Sequence, residues 1–118
     1  LAPEHGSLDL VIAHMSLGRG TQQRQLDYVG RLLGGGAPAV LMGDFNCDAE
    51  LLRGHPELRR AGLLTPAHSP PTFPSWQPRR AIDHILVGGG VELHSLQALP
   101  HRLSDHLPLA AEISLATP

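Results

Sequence analysis

The 118-residue chain contains no lysine: its nine basic residues are all Arg, set against eleven Asp and Glu. That excludes a Schiff-base lysine, a catalytic lysine amine and the lysine of a Walker-type phosphate loop. Cysteine is reduced to Cys47 alone. An internal disulfide and a Cys-based zinc site are therefore excluded, and a reducing, cytoplasmic compartment fits. Aromatic residues make up only 3%, so the core must be built from Leu, Ala, Val and Ile. No apolar run approaches the ~20 residues that span a bilayer, and no membrane span is expected. No basic-then-apolar leader is visible either, although the chain starts at Leu1 and reads like a piece of a longer product. Charged residues are sparse at 17%, with a formal net charge of −2 and a pI near 6.5. No strong global field draws in a polyanion, so any phosphate must be handled locally, by a metal or a few Arg and His.

What is present is one domain's worth of chain with 42% hydrophobic residues. Eight His are a large number for this length. The all-Arg, Ala/Gly/Pro-rich usage suits a high-GC bacterial genome.

The pattern reads strand, helix, strand, short helices, loop, then three strands. Leu8 to Met15 is a mostly apolar run, a buried strand. Thr21 is the expected N-cap of a helix carrying Leu26, Val29, Leu32 and Leu33 at helical spacing, ended by Gly34 to Gly36. Ala37 to Met42 is a second buried strand. Asp48 caps a short helix through Leu52, and Pro56 opens another that Gly62 closes. Five prolines between Pro66 and Pro78 make a surface loop, in which Trp76 reads as a lid over the core. Strands follow at Ala81–Val87, Val91–Leu99 and Leu107–Leu115. Strand, helix, strand at the start implies an α/β fold.

Four polar clusters sit at the ends of these strands, where a sheet gathers distant residues. His14 closes the first strand. Asp44 and Asn46, in Gly43-Asp44-Phe45-Asn46, lie two apart, so in extended geometry they project to one side and can bind a hard cation or orient a water. The other reading of that pair is an Asx-turn. Asp83 lies within Ile82-Asp83-His84-Ile85, where burial demands a partner, for which a His is suited. His84 must face the other way by strand alternation and is expected to be structural. Asp105 and His106, in Ser104-Asp105-His106, offer a carboxylate for Mg²⁺ and an imidazolium for phosphate. Arg79 and Arg80, just before Asp83, have forks that match phosphate oxygens.

The set HMSLG, GDFN, PSWxPxxAIDHI and SDHLPL, in this order, resembles the endonuclease/exonuclease/phosphatase superfamily, from about Leu8 to Leu115. The resemblance implies about half of a four-layer α/β/β/α sandwich: one mixed sheet with helices on one face. Residues 1–118 would be the C-terminal part of one such domain. The N-terminal half, with its early-strand Asn and metal-binding Glu, has no counterpart in these residues and is an expected partner.

The implied activity, in the full-length parent, is divalent-metal-dependent phosphoester hydrolysis, as a phosphodiesterase or nuclease with Mg²⁺ or Mn²⁺; for these 118 residues alone it stays open. By the resemblance, Asp44 activates water and Asn46 orients it, both near the metal. Asp83 holds the imidazole of His106, which contacts the scissile phosphate. Asp105 ligates or orients the metal, and His14 lies near the leaving group. From their position and chemistry, and not from the resemblance, Arg79 and Arg80 are expected to contact substrate. The substrate class stays open among nucleic acid, a phospholipid headgroup and a small phosphodiester. The alternative is an inactive truncated paralogue that keeps the motifs without the metal-binding Glu.

Overall fold

A computed structural model describes residues 7–115. Eight elements follow one another: β1 (Asp9–His14), α1 (Arg19–Leu32), β2 (Ala39–Asp44), α2 (Ala49–Arg53), α3 (Pro56–Arg60), β3 (Asp83–Gly88), β4 (Val91–Ala98) and β5 (Leu109–Leu115). The α/β order expected from the periodicity is present. β1, β2 and β3 form a mixed sheet in that order, β1 parallel to β2 and β2 antiparallel to β3.

Strand alternation sorts the core into two layers. Val11, Ala13, Ala39, Leu41 and Leu86 face the helices and join Leu26, Val29, Leu33, Leu52 and Leu58. Val40, Ile85 and Val87 face the other way, packing with Val91 of β4 and with Leu109, Ala111 and Leu115 of β5. β4 and β5 pair only with each other, so they do not extend the mixed sheet into the single five-stranded sheet expected. The reason lies at the end of β3. Gly89 and Gly90 turn the chain with left-handed backbone, at φ 64° and 85°. The free edge of β3 is already taken by Leu64, which bridges Val87 through two backbone hydrogen bonds of 2.7 and 3.2 Å, and Val91, Leu93 and Leu96 of β4 pack on the sheet's second face instead. The cover stops short of β1, where Leu10 and Ile12 remain 55% and 73% exposed.

Two local expectations need correction, and two hold. α1 begins at Arg19 with Gly18 as N-cap, not at Thr21. Ser16 Oγ accepts the Gly18 N–H at 3.0 Å and closes the preceding turn early. Trp76 is 62% exposed and covers no core; it rides on a loop whose inner positions are taken by Thr72, Pro74 and Ser75. Asp48 does cap α2, accepting the Leu51 N–H at 3.0 Å, and Pro56 occupies the first turn of α3.

His84 takes the structural role that alternation gives it. It is fully buried on the helix side. Its Nε2–H donates to the Cys47 carbonyl at 2.8 Å, and its Nδ1 accepts from the Ser69 hydroxyl at 3.0 Å. The Phe45 ring meets it edge-on at 5.6 Å. Burial holds its pKa below the ordinary 6.5, against the Cys47 hydrogen bond and the charges of Asp83, Asp48 and Asp44. The depressed value means that the unfolded chain binds the proton more readily. The contribution of neutral His84 is therefore complete above pH 6.5 and is lost as pH falls below it. Urea midpoints measured between pH 7.5 and 5 should drop more in the native sequence than in His84→Gln; equal slopes would contradict this assignment.

β2 needs glycine at position 43. Its φ is 142°, and a Cβ there would lie 1.9 Å from the Ala13 carbonyl oxygen of β1. Gly43→Ala should destabilise the fold by about 3 kcal/mol or more, as expected where backbone strain and a backbone clash combine. Thermal or chemical denaturation checks this.

Candidate active site

The sheet register builds most of the site. His14 of β1 is opposite Asp44 of β2, and Asp44 is opposite Asp83 of β3. Residues directly opposed across neighbouring strands project to the same face. Three polar side chains thus form one row at the end of an otherwise apolar face. Asp44 and Asp83 border a cavity of about 200 Å³ whose apolar wall is Met42, Ile85, Leu107 and Leu109.

His106 arrives from the β4–β5 connection. Its Nδ1–H donates to Asp83 Oδ2 at 2.6 Å, and its Nε2 lies 3.6 Å from Asp44 Oδ2. His14 Nε2 lies 3.6 Å from the same Asp44 oxygen, with its side chain 78% exposed. Asp44 Oδ2 is therefore flanked by two imidazoles, while Asp44 Oδ1 accepts the backbone N–H of Asn46 at 2.9 Å. The Phe73 ring packs 4.9 Å from the His106 ring. Burial of His106 lowers its pKa, but the hydrogen bond to Asp83 and the charges of Asp83, Asp44 and Asp105 outweigh this and raise it above 6.5. The charged ring is thus favoured relative to a free histidine; its Nδ1–H is committed to Asp83 and its Nε2 faces Asp44.

Asn46 departs from the extended geometry that its spacing suggested. It is left-handed, at φ 50°, and closes an Asx-turn on Asp44. Its Nδ2 donates to the Met15 carbonyl at 2.6 Å, so its amide nitrogen ties β2's end to β1's end. Asp105 is exposed. Its backbone carbonyl accepts the Ser75 N–H at 2.8 Å. Its charge acts on His106, but Asp105 lies outside the compact donor group formed by Asp44, Asp83 and His106. Arg79 and Arg80 are both exposed; Arg80 borders a separate polar pocket beside the Asn46 turn.

Two positioning residues escaped the sequence reading. Thr72 is fully buried. Its hydroxyl donates to Asp83 Oδ2 at 2.5 Å, the oxygen that also binds His106. Its backbone carbonyl accepts the Leu107 N–H at 2.8 Å. Gln22 is 2% exposed, and its Nε2 reaches the carbonyls of Ser16, Phe45 and Asn46 at 3.1 to 3.2 Å. The signal for Gln22 was present: it shares the buried face of α1 with Leu26 and Val29. Thr72 carried no such signal, since nothing local marks which hydroxyl in a proline-rich loop turns inward.

Asp44, Asp83 and His106 each offer a donor atom, all within 4.8 Å of one another. Two neighbouring carboxylates suit a hard divalent cation, which needs only one or two of them. The fold and this cluster place the protein among α/β proteins with a carboxylate–imidazole centre at a sheet end. The sequence matches the model of the endonuclease/exonuclease/phosphatase family over residues 15–106, and the chain belongs to that family. It is 36% identical to the uncharacterized protein YbhP of Escherichia coli strain K12, over 92% of this chain and 47% of YbhP. A functionally unknown conserved protein from Enterococcus faecalis V583 superposes with a TM-score of 0.68 at 21% identity, covering 91% of this chain and 50% of that one. The mannosyl-6-phosphatase Bt3783 of Bacteroides thetaiotaomicron VPI-5482 superposes at 0.59 with 21% identity, over 90% and 51% of the two chains. The chain thus spans about half the length of these relatives.

The Asp83–His106 bond predicts a measurable titration. His106 should titrate above 6.5 by NMR in the native sequence, and Asp83→Asn should lower its pKa. An unchanged value in Asp83→Asn would show that the carboxylate does not hold the imidazolium.

Proposed function

We propose that this chain carries the catalytic groups of a divalent-metal-dependent phosphoester hydrolase. The observation that supports it most is Asp44 Oδ2 lying 3.6 Å from both His106 Nε2 and His14 Nε2. One carboxylate oxygen able to take a proton faces two imidazoles able to give one, which is the complement a hydrolysis needs.

In this reading Asp44 Oδ2 accepts the proton of the attacking water. Asn46 keeps Asp44 aimed through its backbone N–H, and its side-chain oxygen orients water or phosphate. His106, held by Asp83, donates Nε2–H to a phosphoryl oxygen and neutralises charge as it develops. His14 supplies a proton to the departing oxygen. Asp44, beside the neighbouring Asp83 carboxylate, would hold the ion; Asn46 and Asp105, which lies outside that donor group, would orient water on it. Bound Mg²⁺ or Mn²⁺ would add Lewis acidity and charge neutralisation at the phosphoryl group. Arg79 and Arg80 meet the substrate outside this centre. The substrate is a phosphoester, whether of nucleic acid, a phospholipid headgroup or a small molecule. That the Bacteroides thetaiotaomicron protein of this fold is a mannosyl-6-phosphatase supports phosphate-ester chemistry here.

Hydrolysis of bis(p-nitrophenyl) phosphate by the full-length parent of these residues, with Mg²⁺ or Mn²⁺ present, should be abolished by EDTA and restored by either ion. Asp44→Ala should lower kcat by ~10²–10⁴-fold, the usual effect of removing a positioned base. Undiminished turnover in EDTA would overturn the reading, and a complete lack of turnover with both ions would favour the alternative of a chain that keeps the motifs without activity.

A further inference from the structure

A second polar pocket, of about 270 Å³, adjoins the Asn46 turn and is bordered by neither Asp83 nor His106. Arg19, at the start of α1, and Arg80, at the end of the proline-rich loop, both border it. Among the described residues neither guanidinium pairs with a carboxylate. The first turn of α1 carries no acidic residue and its N-cap supplies no side-chain acceptor, so the positive end of this 14-residue helix is uncompensated as well. Asn46 joins the two sites: it borders this pocket and donates its N–H to Asp44 Oδ1.

We propose that this pocket binds a second anionic group of the substrate, a phosphate beside the phosphoester handled by Asp44, Asp83 and His106. The proposal rests on the phosphohydrolase reading and adds a specificity site to it. Two guanidinium forks match the oxygens of a phosphate, and charge-assisted contacts are the strong kind. Asp48 also borders the pocket; one of its oxygens is used on the Leu51 N–H, and its charge leaves the pocket with one net positive charge. The Cys47 thiol on the wall is pushed up to about 11, chiefly by burial and then by Asp48, so it adds no charge of its own. A chain with no lysine and a net charge of −2 thus concentrates two free cations beside its reactive centre.

The site is tested with inorganic phosphate, titrated into the protein in EDTA and followed by the Arg Nε–Hε resonances and by calorimetry. The resonances of Arg19 and Arg80 should shift together. Arg19→Ala/Arg80→Ala should weaken binding roughly tenfold or more, since one charge-assisted contact is worth about that much. Asp48→Asn keeps an N-cap acceptor and removes the repelling charge, so it should tighten binding several-fold, an effect that a purely structural role for Asp48 would not produce. Thermal melts of the variants confirm that they fold. Phosphate affinity unchanged in both the double variant and Asp48→Asn would overturn the subsite. Loss of binding in His106→Ala alone, with Arg19 and Arg80 unshifted, would also overturn it while leaving the metal-dependent hydrolysis reading intact. Absent metal-dependent turnover together with intact, arginine-dependent phosphate binding would instead defeat the hydrolase reading and keep the anion site.

Discussion

One carboxylate oxygen, Asp83 Oδ2, holds the site together. It accepts both the Thr72 hydroxyl and the His106 Nδ1–H. A partly buried carboxylate is costly unless it is hydrogen-bonded, and here each partner brings a whole segment with it. Thr72 fixes the proline-rich loop, while His106 fixes the turn that enters β5. Those two segments are then joined directly: Ser75 Oγ donates to the Ser104 carbonyl at 2.6 Å, and the Leu107 N–H to the Thr72 carbonyl at 2.8 Å. Loops remote in sequence are thereby set at the end of a rigid sheet, where small displacements would separate the reacting groups.

The opposite half of the site depends on backbone closeness. Gly43 lets β2 approach β1 without a side chain between them. Asn46 and Gln22 then bridge the ends of the two strands through main-chain carbonyls. Asp44 is held by this frame and turns one oxygen outward to the two imidazoles. The division of labour among histidines follows from strand parity. Asp83 faces the reactive side, and the next residue, His84, faces the core, where it serves packing and hydrogen bonding alone.

Much of this was legible in the sequence. Strand parity separated Asp83 from His84, and apolar runs located every strand to within a few residues. The capping role of Asp48 followed from its chemistry. The resemblance supplied the Asp83–His106 pairing, which no local pattern encodes, because the two lie 23 positions apart. Parity failed at Asn46, since a left-handed residue interrupts the strand; the separate pairing of β4 and β5 was not legible either, since it depends on Leu64 occupying the edge of β3 from a distant loop. Thr72 was invisible for a similar reason: a loop's inward-facing residue is chosen by tertiary contacts, not by period.

The central claim is that Asp44 and His106 share one centre built for a divalent cation and a phosphoester. Mn²⁺ titration followed by paramagnetic broadening of NMR signals tests it most directly. The claim predicts that substoichiometric Mn²⁺ broadens the signals of His14, Asp44 and His106 first, and that Asp44→Asn removes the effect. Broadening centred instead on histidines outside this cluster, or unaltered by Asp44→Asn, would contradict it.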